Sequence, residues 1–469
     1  MNLDSKIVQK TIQSLLTDVA PKILTSPDIS SVVSIGDADT DGHERKHKSE
    51  EAGFNSESTI KKGQKQVDSI PTTPDPAVTL YHRLNAANAE LENQKNAGCF
   101  KFQENTIDVE SQIPLPETFS DKFLSREMRE SIKNNSKKTL TFECTINQRV
   151  IRLCFILFKK HVGCGGESVT YYKTYAHRVF MWLHMISFHS GCVESLNIYI
   201  YLTPFKKRLP ENKSEVIGPV NANTGYTYRC EKKNEIVVYR EEEWFKVLLH
   251  ETMHAFGNDF DDESGNGDEF HQSSHIKKIF SLPPPINVRL SETYSEIWAR
   301  IMNVAFQTYF KNPPSLESRT AAQFKKNFEF YLQLESTFSL YQCIKILDFM
   351  GVNYKVLIGD CDHSKEMMRT FYRENTHVFA YYILTSILLH CNGEFFSWCI
   401  KNNGTGLNMF KVKTVQHDFA KLIASCYKKN DLLQKIVETE IRVARDYEKA
   451  ISDDEQLVTT LRMTIIGFD

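Results

Sequence analysis

Residues 241–257 read EEEWFKVLLHETMHAFG, a stretch with the spacing of a helix buried on one face that nonetheless carries two histidines and a glutamate. A buried helix must find partners for such groups, because an unpaired polar side chain in the core costs several kcal/mol (roughly 2–7). His250 and His254 stand at i and i+4, so they leave the helix on one face, one turn apart, close enough for both imidazoles to hold a single metal ion. Gly257 falls where a C-terminal cap belongs. Glu241, Glu242 and Glu243 crowd the expected first turn, where negative charge suits the helix dipole.

The string His250-Glu251-Thr252-Met253-His254 is HExxH. Its middle acid lies beside the open coordination position of a metal held by the two histidines. One zinc ion there would lower the pKa of a bound water towards ~7. Glu251 would take the proton and return it to a leaving amine. Five residues are a short motif, and two ordinary helix histidines are the plain alternative. The setting argues for the metal, since the string lies in a buried helix directly after a predicted strand hairpin. A catalytic zinc also needs a third protein ligand. Glu292 and Glu296 stand one helical turn apart on the next predicted helix, SETYSEIWARIMNVAFQTYF, which Ser291 is expected to cap.

This pattern resembles the gluzincin branch of the zincin metallopeptidases, over about residues 195–310. In that family the metal glutamate is followed four residues later by an acid that holds the far nitrogen of a histidine ligand. The resemblance assigns Glu292 to zinc and Glu296 to the histidine, with the reverse order left open. It implies hydrolysis of peptide bonds in a peptide or protein substrate. Tyr294, His271 or His275 are the candidates to polarise the developing oxyanion. It also implies an edge strand that pairs with extended substrate, which puts Asn221, Ala222 and Asn223 of the predicted strand 220–228 in the binding role. The metzincin form HExxHxxGxxH fits at Gly257 but ends on Phe260; Asp259 and Asp261, which flank it, could serve as an aspartate ligand only with a changed loop. The stretch from Val220 to Gly257 is also similar to uncharacterised metallopeptidase-type proteins of large nucleocytoplasmic DNA viruses. That similarity implies an infected-cell cytoplasm or a virion.

Elsewhere the chain predicts an α+β protein in three parts. Residues 1–76 read as a short helix (6–24) and a polar disordered linker. Residues 77–315 read as a zincin-like catalytic domain, a small sheet plus the HExxH helix. Residues 316–469 read as a mainly helical domain. A strand hairpin is expected over 137–160, a buried helix over 170–190, a strand over 195–203 and another over 235–240. GCGGE at 163–167 lacks the Lys-Ser/Thr of a phosphate loop and reads as a turn. Fifty-seven basic residues against 59 acidic ones leave a formal charge of −2, which calls for neither nucleic acid nor an anionic membrane. A protein partner could dock on the N-terminal segment or the helical part. Eleven scattered cysteines and an N-terminus without an apolar signal core fit free thiols in a reducing, cytoplasmic compartment. The competing functional class is a catalytically silent zincin-fold protein serving assembly, for example in a virion.

Overall fold

The computed structural model describes residues 75–119, 124–162, 169–188, 190–260, 268–311, 320–403, 416–450 and 455–467. The segment 6–24, the polar tract up to residue 74, GCGGE at 163–167 and Asp261 lie outside them. The apolar run 137–160 folds as the expected hairpin, β2 (Ser136–Ile146) against β3 (Arg149–Phe158), antiparallel with Ile146 opposite Arg149. Its turn is only Asn147 and Gln148, both left-handed at φ 48° and 65°. Two such residues give the turn whose twist matches the strands it joins. The Asn147 amide donates to the His184 carbonyl and to Ser187 Oγ, which ties the turn to the neighbouring helix.

Six strands make one mixed sheet in the order β1-β2-β3-β4-β6-β5. β1 (Lys101–Thr106) pairs antiparallel with β2, while β3, β4 (Ser195–Tyr201) and β6 (Lys233–Val238) run parallel. The β3-to-β4 crossover passes through helix Val169–Ser187, as parallel neighbours require. Both faces of the central strands are covered. Ile151, Leu153, Phe155 and Leu157 of β3 enter the main core, and Cys154, Ile156 and Phe158 enter a smaller one beneath residues 107–132. That double burial explains why β3 reads as a continuous apolar run instead of an alternation.

The region before the histidine helix departs from the expected strand 220–228. Residues Pro219–Ala222 form one helical turn, Asn223 is extended, and only Gly225–Thr227 (β5) pairs with β6, as the outer strand of the sheet. Pro219 at the first helical position starts the turn, and Asn221 Oδ1 closes it by accepting from the Gly218 N–H. Asn221 and Ala222 are therefore not strand residues.

Helix α1 (Trp244–Ala255) carries the HExxH string, and α2 (Leu290–Lys311) packs along it. α1 begins after the three glutamates, because Glu243 takes a left-handed φ of 61°. These acids do not serve the helix dipole. Glu241 pairs with Lys160 and lies 3.3 Å from His161 Nε2. Glu242 accepts the Lys207 N–H, and Glu243 pairs with Lys207 Nζ at 2.6 Å. Gly257, at φ 62°, does end α1: its N–H donates to the His254 carbonyl and the Asn258 N–H to that of Met253. α2 opens at Leu290, one residue before the expected Ser291 cap, and is buried along nearly its whole length.

Beyond residue 320 the regular elements of the described chain are helices, led by α3 (Ala321–Phe349), joined by short irregular segments and isolated bridges. One hydrophobic cluster includes residues from Ala77 to Ile466. Segment 460–466 threads through this core, with Met463 and Thr464 N–H on Glu243 and Ile465 N–H on Glu335. The cysteines correct another expectation. Eight are free thiols and Cys164 is outside the described residues, but Cys192 and Cys230 form a disulfide across 38 residues. No single helix among the described residues is long and apolar enough to cross a membrane.

Candidate metal centre

Helical spacing brings His250 and His254 out on one side of α1, and α2 presents Glu292 to the same point. His250 Nε2 and His254 Nε2 are 3.1 Å apart, and Glu292 Oε2 lies 3.2 Å from the first and 3.4 Å from the second. Tetrahedral zinc with bonds of about 2.0–2.1 Å holds its ligands about 3.3 Å apart. The three donors therefore already stand at the edge lengths of a zinc coordination triangle, and two imidazoles with one carboxylate are a donor set that zinc accepts. The residues fit the ion.

The far sides of the imidazoles are engaged as well. Glu296 Oε2 lies 3.1 Å from His250 Nδ1, at ion-pair distance though not aligned as a hydrogen bond. The same carboxylate accepts from Lys246 Nζ at 3.0 and 3.1 Å and from Arg300 Nε at 2.9 Å, all of it buried. Of the two acids, Glu292 thus faces the pair of Nε2 atoms and Glu296 the back of His250. Asp259, which the sequence offered as a ligand, sits behind the other histidine with Oδ2 2.5 Å from His254 Nδ1. Arg229 pairs with the second Asp259 oxygen at 3.0 Å.

Burial and charge decide the protonation states. Burial pushes the Glu292 carboxyl up, but the His254 charge and hydrogen bonds from both histidines hold it well below the usual range. Glu296 is likewise pushed up by burial and held well below by Lys246, His250 and Arg300. Both stay anionic, as a cation site requires. Glu251 behaves differently: burial raises its pKa, against a smaller opposing effect of the two histidines. The residue is 9% exposed, and its carboxylate makes no hydrogen bond or ion pair among the described residues and borders a narrow cleft with Asn223, Thr224, Gly225 and Tyr381. Gly225 lets the strand approach this closely, since a Cβ there would stand 2.9 Å from Val247 Cγ1 and 3.2 Å from Glu251 Cγ.

The oxyanion candidates fare unevenly. Tyr294 faces away from the three donors, packed against Phe260, Phe395, Trp398 and Phe419 with its hydroxyl accepting from Asn403. Two residues after Glu292 on a 3.6-residue helix is the opposite side, so the assignment fails on geometry. His275 is exposed on helix Asp268–Ile279; the side chain of His271 lies outside the described residues. Asn223 lines the cleft, whereas the Asn221 amide is spent on Gly218 and Arg208. Sequence reasoning passed over Tyr381, whose hydroxyl donates to Glu292 Oε2 at 3.0 Å with its ring 5.7 Å from that of His250. Tyr381 lies in a π-helical turn, Phe379–Leu384, a local widening that recurs at functional sites. His377 sits one turn earlier, its ring 6.1 Å from Tyr381, and feels the Glu292 charge. The i, i+4 pair in HVFAY was the available signal.

No family model and no solved structure matches the chain. Over 314 residues it is 23% identical to an uncharacterised protein of Acanthamoeba polyphaga mimivirus, covering 61% of this chain and 70% of that protein. This similarity is consistent with the viral resemblance of the Val220–Gly257 stretch.

Proposed function

We propose that this protein is a zinc-dependent peptidase with a zincin-like catalytic region, in which His250, His254 and Glu292 hold one zinc ion. The observation that carries the reading is the mutual spacing of the three donor atoms, 3.1–3.4 Å, reached by residues from two separate helices. When bound, zinc supplies Lewis acidity, which acidifies water and polarises a carbonyl. Glu251, with its raised pKa and unpaired carboxylate, takes the proton of the attacking water and passes it to the leaving amine. Tyr381, bonded to Glu292, and the nearby His377 are the donors we assign to the developing oxyanion. The outer edge of β5 offers Gly225–Thr227 to an extended substrate. The similarity to a mimivirus protein supports a viral setting, in infected-cell cytoplasm or virion.

One observation favours a second reading: the cleft is narrow and its acid nearly buried, as in a zincin-fold protein retained for assembly and not for catalysis. Zinc content and hydrolysis of a peptide library, measured for wild type and Glu251→Gln, separate the two. A peptidase binds about one zinc in both forms and loses activity by about 10²-fold or more in the variant. A wild type that holds zinc yet cleaves nothing favours the scaffold, and one that holds no zinc removes both.

A further inference from the structure

We propose that the Cys192–Cys230 disulfide is a redox-controlled support for His254, so that reducing this one bond weakens metal binding. The inference rests on the zinc reading and adds a regulation to the same site.

Cys192 lies just before β4 and Cys230 in the turn from β5 to β6, with Cα atoms 4.9 Å apart. The bond lies directly over Gly257, the residue that ends α1 three positions after His254. A Cβ at Gly257 would stand 3.0 Å from Cys192 Sγ and 3.3 Å from Cys230 Sγ. Arg229, next to Cys230, donates to the carbonyls of Phe260 and Asp259 and pairs with Asp259 Oδ1 at 3.0 Å. Asp259 Oδ2 in turn holds His254 Nδ1. The path from sulfur to ligand is therefore short: Cys230 fixes Arg229, Arg229 fixes Asp259, and Asp259 fixes the imidazole.

Two features make the bond a switch and not only a staple. Cys230 is exposed, so a reductant can reach it, whereas six of the eight free cysteines are buried. Its backbone is left-handed, φ 55°, a conformation unfavourable for a side-chain-bearing residue unless its surroundings impose it. Once the bond opens, the turn that carries Arg229 is free to relax. The helix itself has other anchors: Ser190 Oγ donates to the Phe256 carbonyl, and Asn258 Nδ2 to that of Ile186. Reduction thus loosens one ligand without releasing α1.

The chemistry is thiol–disulfide exchange with a dithiol. A dithiol thiolate attacks Cys230 Sγ, the S–S bond breaks, and Cys192 leaves as a thiolate that takes a proton. The second dithiol sulfur, deprotonated, then displaces Cys230, which takes a proton, and the reagent departs as a cyclic disulfide. Two electrons and two protons pass to the protein.

The test measures zinc affinity by chelator competition for the full chain, oxidised and after dithiol reduction and anaerobic desalting, with circular dichroism recorded on each sample. Reduction of wild type is expected to raise the zinc Kd about tenfold or more, the size seen when a group behind a metal ligand is lost. Reoxidation restores it, and Cys192→Ser with Cys230→Ser matches the reduced value. Arg229→Met is expected to bind weakly in both states and to ignore reduction, because the link is already cut. Equal affinity of oxidised and reduced wild type overturns the proposal. So does an Arg229→Met protein that still responds to reduction, or a reduced protein that loses its helical signal. Absence of zinc binding in the oxidised wild type removes the metal reading itself.

Discussion

The two histidines of the HExxH helix are backed in opposite ways. Behind His250 lies Glu296, clamped by Lys246 and Arg300 between two core helices, with every side chain of the network at most 2% exposed. Behind His254 lies Asp259, just past the helix end, steadied by a partly exposed Arg229 beside a disulfide. His250 is positioned by the hydrophobic core and His254 by a loop. In the proposed zinc site, a rigid half and an adjustable half would let affinity be tuned at His254 without disturbing the packing that makes the fold.

The sharpest way to break this comparison is Glu296→Ala. It strands Lys246 and Arg300 in the core, and the expected loss is about 3–5 kcal/mol of unfolding free energy, read from denaturant titration. A loss near zero would mean that the buried network does not support the fold. Next comes Glu335, the same residue type in the same core but bonded, among the described residues, to Thr464 Oγ1 and the Ile465 N–H. Burial pushes its carboxyl up to about 7, against a smaller lowering by Arg300. Below pH 4.5 it is protonated in both folded and unfolded chains. As pH rises past 4.5 the unfolded chain ionises first, so stability falls by about 3 kcal/mol up to pH 7 and then levels. Glu335→Gln should flatten that window in pH-dependent denaturation, and an unchanged slope would assign the effect to another group.

Gly225→Ala probes the acid in the cleft. The new Cβ meets Val247 Cγ1 at 2.9 Å and the Val237 carbonyl at 3.0 Å, so about 1–3 kcal/mol of stability and part of any peptidase activity should go together. Retained activity with lowered stability would show that Glu251 tolerates displacement. The mildest change for the fold is Asp259→Asn. Zinc Kd should rise about 10–100-fold while the unfolding free energy stays within about 1 kcal/mol of wild type. Should it unfold the protein as Glu296→Ala does, the two halves are built alike after all.

Much of this region was legible in the chain because it is local. The hairpin 137–160, the histidine helix with its Gly257 end, and the second helix with Glu292 and Glu296 one turn apart all follow from short periods in the sequence. The strand reading of 220–228 held only over Gly225–Thr227, because Pro219 and Asn221 build a capped turn before it. The i, i+4 spacing of His377 and Tyr381 was visible, but not that Tyr381 bonds Glu292, 89 residues away. The Cys192–Cys230 pairing was equally out of reach: scattered cysteines do not reveal their connectivity.

What the chain alone determined is the pair of site helices, α1 and α2, with the residue types on their facing sides, because 3.6 residues per turn needs no distant contact. What only the folded molecule decided is which far-off groups meet those faces: Glu292 in front of the imidazoles, Glu296 and Asp259 behind them, Tyr381 alongside. The reason is that a buried polar group must be paired, and the partner is whichever one the packing of the whole core delivers within about 3 Å.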